Sequence, residues 1–266
     1  MKKTFFVILI LLITAPLYGQ SMSRIIAEQY HNDFVAIAKG SITDKGKVII
    51  TGQNTDVGAT AETLWDQSEL YTYLQVAQTL RIVSKSADDD TSGTGALTVK
   101  LWGLDGDYAF LNETIGIGGA DTVSTTNEFL RVWKAEVMTA GSGGVNADSI
   151  KIFNDSATDT LVALILPGQN ITSMAMFTVP AGYKFYLIGF YSSQGIAKQS
   201  TVSIIAKPYG EVFKRYDTAE LYLSVVQYEY PLPLVFDEKT DVEIRVVTVG
   251  ASGNIAARFS GWYEPE

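Results

Sequence analysis

Three consecutive aspartates, Asp88, Asp89 and Asp90, run into a Gly-Thr-Gly turn in the stretch SADDDTSGTGALTVKLWGLDGDY, Ser86–Tyr108. Asp105 and Asp107 follow in a second acidic turn. Carboxylates gathered on a flexible loop suit Ca2+, which takes about six to eight oxygen ligands. The EF-hand spacing D-x-D-x-D-G is absent. Ala96–Leu104 between the turns reads as a strand, and at ~3.3 Å per residue it holds them roughly 30 Å apart. One metal ion cannot bridge that distance. Ca2+ at Asp88, Asp89 and Asp90 alone is one reading. The other is a solvated corner whose Asp and Thr side chains satisfy turn amides. No other cofactor is suggested.

Other chemistry finds less material. TAGSGGVN, Thr139–Asn146, is Gly-rich like a phosphate cradle, but no Lys-Ser/Thr follows it and no helix pattern opens, so it reads as a hairpin loop. Glu62, Glu69, Glu113 and Glu136 could supply a glycosidase pair, yet their spacing selects no two of them. The absence of cysteine excludes disulfides, thiolate nucleophiles and Cys-ligated zinc. A single histidine, His31, argues against a His-rich metal site or a Ser-His-Asp triad. There is no P-loop, no G-x-G-x-x-G after a strand and no G-x-S-x-G. The chain is expected to be no enzyme.

Aromatic residues are the remaining candidates. Trp65, Trp102, Trp133 and Trp262, with Tyr71, Tyr73, Tyr183, Tyr186, Tyr228 and Tyr230, would suit a carbohydrate platform. They would equally fill a core or a subunit interface, where large rings contribute by area. Trp65, Trp102, Trp133, Tyr228, Tyr230 and Trp262 are the set singled out for interface or ligand. In YEYPLPLVF, Pro231 and Pro233 interrupt an apolar run. Proline in a strand belongs at an edge or a bulge, and an exposed apolar edge aggregates unless a partner covers it. This points to self-association.

The elements that must position these residues are strands. KVIITG (Lys47–Gly52), ELYTYLQVA (Glu69–Ala77), TLRIVSKS (Thr79–Ser86) and ALTVKLWGL (Ala96–Leu104) open a series that continues to NIAARFSGWYE near the C-terminus. Turn clusters such as Asp105-Gly106, Gly118-Gly119, Pro167-Gly168 and Pro180–Gly182 separate the strands at sandwich-like spacing. Only AETLWDQSELY (Ala61–Tyr71), capped by Thr60, suggests a short helical turn. With 266 residues, 47% of them hydrophobic and 23 of them glycine, the chain can bury a large β core. We expect an all-β, antiparallel β-sandwich of jelly-roll type. Residues 41–192 would form the main sandwich. Residues 193–266 would complete it or form a second, smaller β unit, with a soft boundary at Ser192–Lys198. The net charge of −9 and pI near 4.7 repel phosphate backbones, so no nucleic-acid partner is expected.

Residues 1–21 have the form of a secretory leader: Lys2 and Lys3, an apolar run, then small residues near Ala15 and Gly19. Two alternatives stand beside cleavage. The segment is a membrane anchor, with contact through residues 5–19 only, or translation starts at Met22. Residues 22–40 read as an arm, extended or briefly helical.

Several motifs together resemble a known family. They are Asn54–Gly58, Leu64-Trp65-Asp66, the Asp-Thr-Ser-Gly-Thr-Gly corner of Asp90–Gly95, Gly103-Leu104-Asp105, Glu113 and Phe129-Leu130-Arg131. Ala140–Gly143, Thr178–Gly182, Lys239-Thr240-Asp241 and Phe259-Ser260-Gly261 extend the pattern, which covers about Asp33 to the C-terminus. The chain resembles β-rich virion structural proteins of tailed bacteriophages, frequent in marine phages. The resemblance implies a capsid decoration, vertex or fibre-base component. Such a protein self-associates as a homo-oligomer and docks on other virion proteins. No catalytic residue is carried over. A virion part needs no leader, so a working signal would instead imply a secreted or surface-anchored sandwich that binds glycans or cell surfaces through exposed aromatics.

Overall fold

Alternation of inward and outward residues builds the first strand, β1 (Gly46–Val57). Val48, Ile50, Gly52 and Asn54 are buried, and Lys47, Ile49, Thr51 and Gln53 are exposed. A period of two is what a strand with one face on a core requires. The structure is a computed structural model that describes residues 33–156, 158–250 and 253–266. The leader, His31 and most of the arm lie outside the described residues.

The described residues divide between Gly46 and Lys47 into two units. In the first, residues 33–38 are helical. The helix stops in a Schellman motif: Ser41 N–H donates to Ala36 C=O, Gly40 N–H donates to Ile37 C=O, and Gly40 has φ 67°.

Among its described residues the second unit is all strand and loop. After β1 come β2 (Glu62–Thr63), β3 (Leu80–Ser84), β4 (Ala96–Leu104), β5 (Phe110–Gly116), β6 (Val123–Ser124), β7 (Arg131–Ala140), β8 (Ile150–Asn154) and β9 (Leu161–Ile165). The chain continues through β10 (Met176–Thr178), β11 (Tyr183–Gln194), β12 (Gln199–Lys207), β13 (Lys214–Tyr222), β14 (Val225–Phe236), β15 (Asp241–Thr248) and β16 (Gly253–Pro265).

Eight of these strands nest first with last. β1 neighbours β16, β10 neighbours β15, β11 neighbours β14, and β12 neighbours β13. The sheets β1-β16-β11-β14 and β10-β15-β12-β13, with β2 added on β15, enclose one core that holds Phe185, Phe259, Ile244 and Val202. This nested wiring is that of a jelly roll. β3 to β9 form two further sheets, β6-β3-β8-β9 and β5-β4-β7, around a second core with Leu80, Val99, Leu101, Ile150 and Ile152. A smaller sandwich is thus inserted between the first and second strands of the jelly roll. The C-terminal strands belong to the larger sandwich: β11 runs through Ser192 and pairs with both β14 and β16.

The two cores share one strand. Met174 and Met176 enter the inserted core, while Ala175, Phe177 and Val179 enter the jelly-roll core. Leu64 and Trp65 divide in the same way. Opposite faces of one extended chain therefore belong to opposite cores.

Two expectations for local structure are corrected. Ala61–Tyr71 holds no helical turn, because Glu62-Thr63 pairs with Val246-Arg245 and Trp65 bridges Met174. Glu69–Ala77 joins no sheet. Its alternation is real, with Tyr71 and Tyr73 buried, but Tyr71 N–H donates to the Thr63 hydroxyl instead of a ladder. No helix among the described residues is long and apolar enough to cross a membrane.

Candidate functional site

The acidic corner resolves residue by residue. The Asp89 carboxylate is fully buried and accepts four hydrogen bonds: from Ala96 N (2.8 Å), Ala147 N (2.7 Å), Asp148 N (3.1 Å) and Ser84 Oγ (2.6 Å). It ties the corner to the loop that follows β7. Asp90 accepts from the backbone and hydroxyl of Ser92, which hold its carboxyl below the usual range. Asp88 is exposed. The three carboxylates part company, and no group of three His, Asp or Glu side chains among the described residues could hold a metal ion. Asp105 lies at the far end of β4, where its side chain accepts from Asp107 N and Ala109 N. The Ca2+ expectation thus gains no support from the geometry.

The other chemical candidates are also engaged separately. Gly141 N–H and Gly143 N–H of TAGSGGVN donate to Gly95 and Thr94 carbonyls, so they are not free to cradle phosphate. Glu62 accepts from Asn54 Nδ2 and Gly58 N, Glu113 from Thr126 N and Asn127 N, and Glu136 pairs with Lys134. No two of these form a facing pair. Burial raises the Glu62 carboxyl, against the Gly58 hydrogen bond that lowers it. Asp66, holding Ser173 N at 3.0 Å, is pushed up to about 6 by burial.

The six singled-out aromatics are not brought together. Trp65 is buried, edge-on to Tyr71 at 5.1 Å, and donates to Glu69 C=O. Trp133, on β7, is half-buried and packs against the jelly-roll core at Phe177, 5.4 Å away. Trp102 carries the Lys100 and Lys134 ammonium groups over its ring at 5.0 and 4.3 Å. Trp262 stacks on Tyr186 at 5.1 Å across β16 and β11. Tyr228 and Tyr230 both sit on β14, where Tyr228 stacks on Phe190 and Tyr230 donates to Asp217 of β13.

That last location is the surface of interest. β14 ends one sheet of the jelly roll and β13 ends the other. The two edges lie on one side, linked by the Tyr230–Asp217 hydrogen bond. Leu223, Val225, Tyr228, Leu232 and Val235 are exposed there, with Tyr216 and Tyr222 of β13. From Leu234 to Glu229 β14 takes five steps, while β11 advances only from Leu187 to Gly189. The surplus forms a bulge containing Pro231, Leu232 and Pro233, and Leu232 stands 83% exposed. Proline lacks the N–H that a ladder needs, so it fits a bulge on an edge. The prolines marked this place in the sequence. Nothing marked Leu223 or Val225, because their exposure depends on which strand ends each sheet.

A second feature joins residues that the sequence showed only as separate motifs, Phe129-Leu130-Arg131 and Lys239-Thr240-Asp241. On the outer face of β15, Asp241, Glu243 and Arg245 alternate with Val242, Ile244 and Val246 of the core. Asp241 receives Arg131 of β7 through two hydrogen bonds (2.8 and 3.1 Å) and the Thr178 hydroxyl at 2.6 Å. Glu243 accepts Tyr73 Oη at 2.7 Å and pairs with Arg245. Burial raises the Glu243 carboxyl, and Arg245 opposes this. The sandwiches meet across this seam of buried charge.

No family model and no curated protein matches the chain. Solved structures that match in part include infectious bursal disease virus, Gt strain, at 10% identity over 83% of this chain and 76% of that one, with a TM-score of 0.20. T=1 particles derived from the same virus match at 9% identity, over 83% of this chain and 74% of that one, with a TM-score of 0.20. A lipoprotein of Bacteroides thetaiotaomicron matches at 12% identity over 85% of this chain and 97% of that one, with a TM-score of 0.16. Likenesses this shallow assign neither a fold nor a role.

Proposed function

We propose that this chain is a non-enzymatic structural protein of a virion, a capsid decoration, vertex or fibre-base component. It assembles by pairing the β13–β14 side with that of a second copy and docks on the capsid lattice. The observation that carries the reading is the apolar double edge of Leu223, Val225, Tyr228, Leu232 and Val235. An edge of this kind is a liability in a monomer and an asset in an assembly. A second copy is the occupant that the charge distribution favours. The chain carries −9 overall, yet Tyr222 to Val235 contains one charged residue, Glu229. Two copies repel each other over most of their surface and least through this patch. The motif resemblance to phage virion proteins supports the particle as the setting.

Light scattering on the purified chain tests the contact. The wild type is expected to be oligomeric, and Val225→Lys with Leu232→Asp to be monomeric with an unchanged circular dichroism spectrum. An oligomer that survives both substitutions refutes the contact. Mass spectrometry of purified particles tests the setting, where a chain beginning near Met22 is expected. Recovery only from culture supernatant, cleaved near Gln20, would refute it.

A further inference from the structure

Where the inserted sandwich meets the jelly roll, an open cleft of about 700 Å³ runs between the β4–β5 turn and the β12–β13 and β14–β15 turns. Junctions between packed units are where ligand sites concentrate. Its floor is the Arg131–Asp241 pair, already satisfied by protein groups. Its rim carries Tyr108, Tyr209, Lys207 and Lys239.

Three observations mark this cleft. First, Tyr209 is 66% exposed on a turn, edge-on to Tyr108 at 5.9 Å. One ring thus presents an open face and the other an edge. Second, Lys239 Nζ stands 5.4 Å from the Tyr209 ring and 5.9 Å from the Tyr108 ring. Third, Tyr108 (φ 62°) and Lys239 (φ 59°) are two of five described non-glycine residues in the left-handed region. Such backbone is strained and persists where the surroundings impose it, often at binding sites. Tyr108 is clamped by its N–H to Asp105 C=O and by Ala181 N–H to its own C=O.

The charge of the rim is local and positive in an acidic chain. Lys207 makes no ion pair among the described residues, and its ammonium faces the Phe213 ring at 5.9 Å. Lys239 touches Glu238 at 3.7 Å, but that carboxylate also accepts Gly182 N–H at 2.6 Å. Glu211, the remaining carboxylate of the rim, pairs with Lys214.

We propose that the cleft binds an acidic saccharide, with a sugar ring against Tyr209 and Tyr108 and its carboxylate or sulfate held by Lys207 and Lys239. The exposed Tyr209 ring offers an apolar face to the C–H groups of a puckered sugar ring, and Tyr108, set at 87° to it, walls one side. A long polyanion is repelled by the chain as a whole, so the anion is small. The site is independent of the β13–β14 contact and stands or falls without it.

Calorimetric titration of the full chain tests this with glucuronic acid, N-acetylneuraminic acid and glucose 6-sulfate, against neutral glucose. At least one acidic sugar is expected to bind tenfold or more tightly than glucose, and more weakly as salt rises. Comparison of the carboxylated and sulfated sugars identifies the anion. Tyr209→Ala and Lys239→Met should each weaken binding tenfold or more, with Lys239→Arg restoring part of it. Trp262→Ala, on the outer face of another sheet, should change nothing. The oligomeric state is measured for every variant to confirm that the edge contact is untouched. Equal affinity for acidic and neutral sugars, no binding of any of them, or full affinity in Tyr209→Ala overturns the proposal.

Discussion

Asp89 places four hydrogen bonds on one buried carboxylate, and its removal strands four donors away from water. Asp89→Ala is expected to cost about 3–5 kcal/mol in urea denaturation, as losing one side of a buried charged network does. Asp88→Ala, at an exposed position, should stay within about 0.5 kcal/mol, and chelation of Ca2+ should shift neither midpoint. Asp66 acts in the opposite sense. Its folded pKa of about 6 lies above the ordinary 3.8, so between those values the folded chain holds a proton that the unfolded chain has released. Stability therefore falls as pH rises through that window. Asp66→Asn keeps an acceptor for Ser173 N–H and removes the titration. It should match the wild type near pH 4 and exceed it at pH 7 by roughly 1–2 kcal/mol, allowing for partial exposure. A variant equally stable or less stable at both pH values would refute this account.

At the scale of elements, β14 shows how an edge strand is kept usable. The β14 bulge opposite Leu187 and Gly189 breaks its ladder, and Pro231 and Pro233 each withhold an N–H from an incoming strand. Apolar side chains remain available for a defined contact while open-ended pairing is blocked. Pro231→Thr with Pro233→Thr is expected to raise the aggregation rate in static light scattering without lowering the thermal midpoint by more than a few degrees. An unchanged aggregation rate would show that the prolines do not guard the edge. β10 is the other telling element. Three residues long, it serves two cores because Met176 and Phe177 face opposite ways.

At the scale of the molecule, that sharing and the Arg131–Asp241 pair join two sandwiches that the chain builds from nested segments. The jelly roll cannot close until the insertion has returned the chain to β10. The wild type is therefore expected to unfold in one calorimetric transition. Arg131→Met leaves Asp241 buried with Thr178 as its only remaining side-chain donor among the described residues. The cost should be about 3–5 kcal/mol, and the transition should broaden or split in two as the sandwiches uncouple. Two transitions in the wild type would show that the seam does not couple them.

Most strands and turns are legible in the amino-acid order alone. Ala96–Leu104 is β4 residue for residue, because alternation with a period of two reports local geometry directly. The length of that strand also suffices to separate Asp88–Asp90 from Asp105 and Asp107. The two prolines likewise announce an edge or a bulge, since a missing N–H is a property of the residue alone. Which strands neighbour each other is settled only by the folded chain. Folding puts the smaller sandwich between β2 and β10, and takes Tyr71 and Tyr73 out of a ladder and into a core. It buries Asp241 and Glu243, whose alternation with Val242 and Ile244 looks like an ordinary solvated face. It also gathers Tyr108, Tyr209, Lys207 and Lys239 from separate stretches of chain into one cleft. Residues far apart in sequence meet only through the nested pairing of strands, and single-strand periodicity carries no record of that pairing.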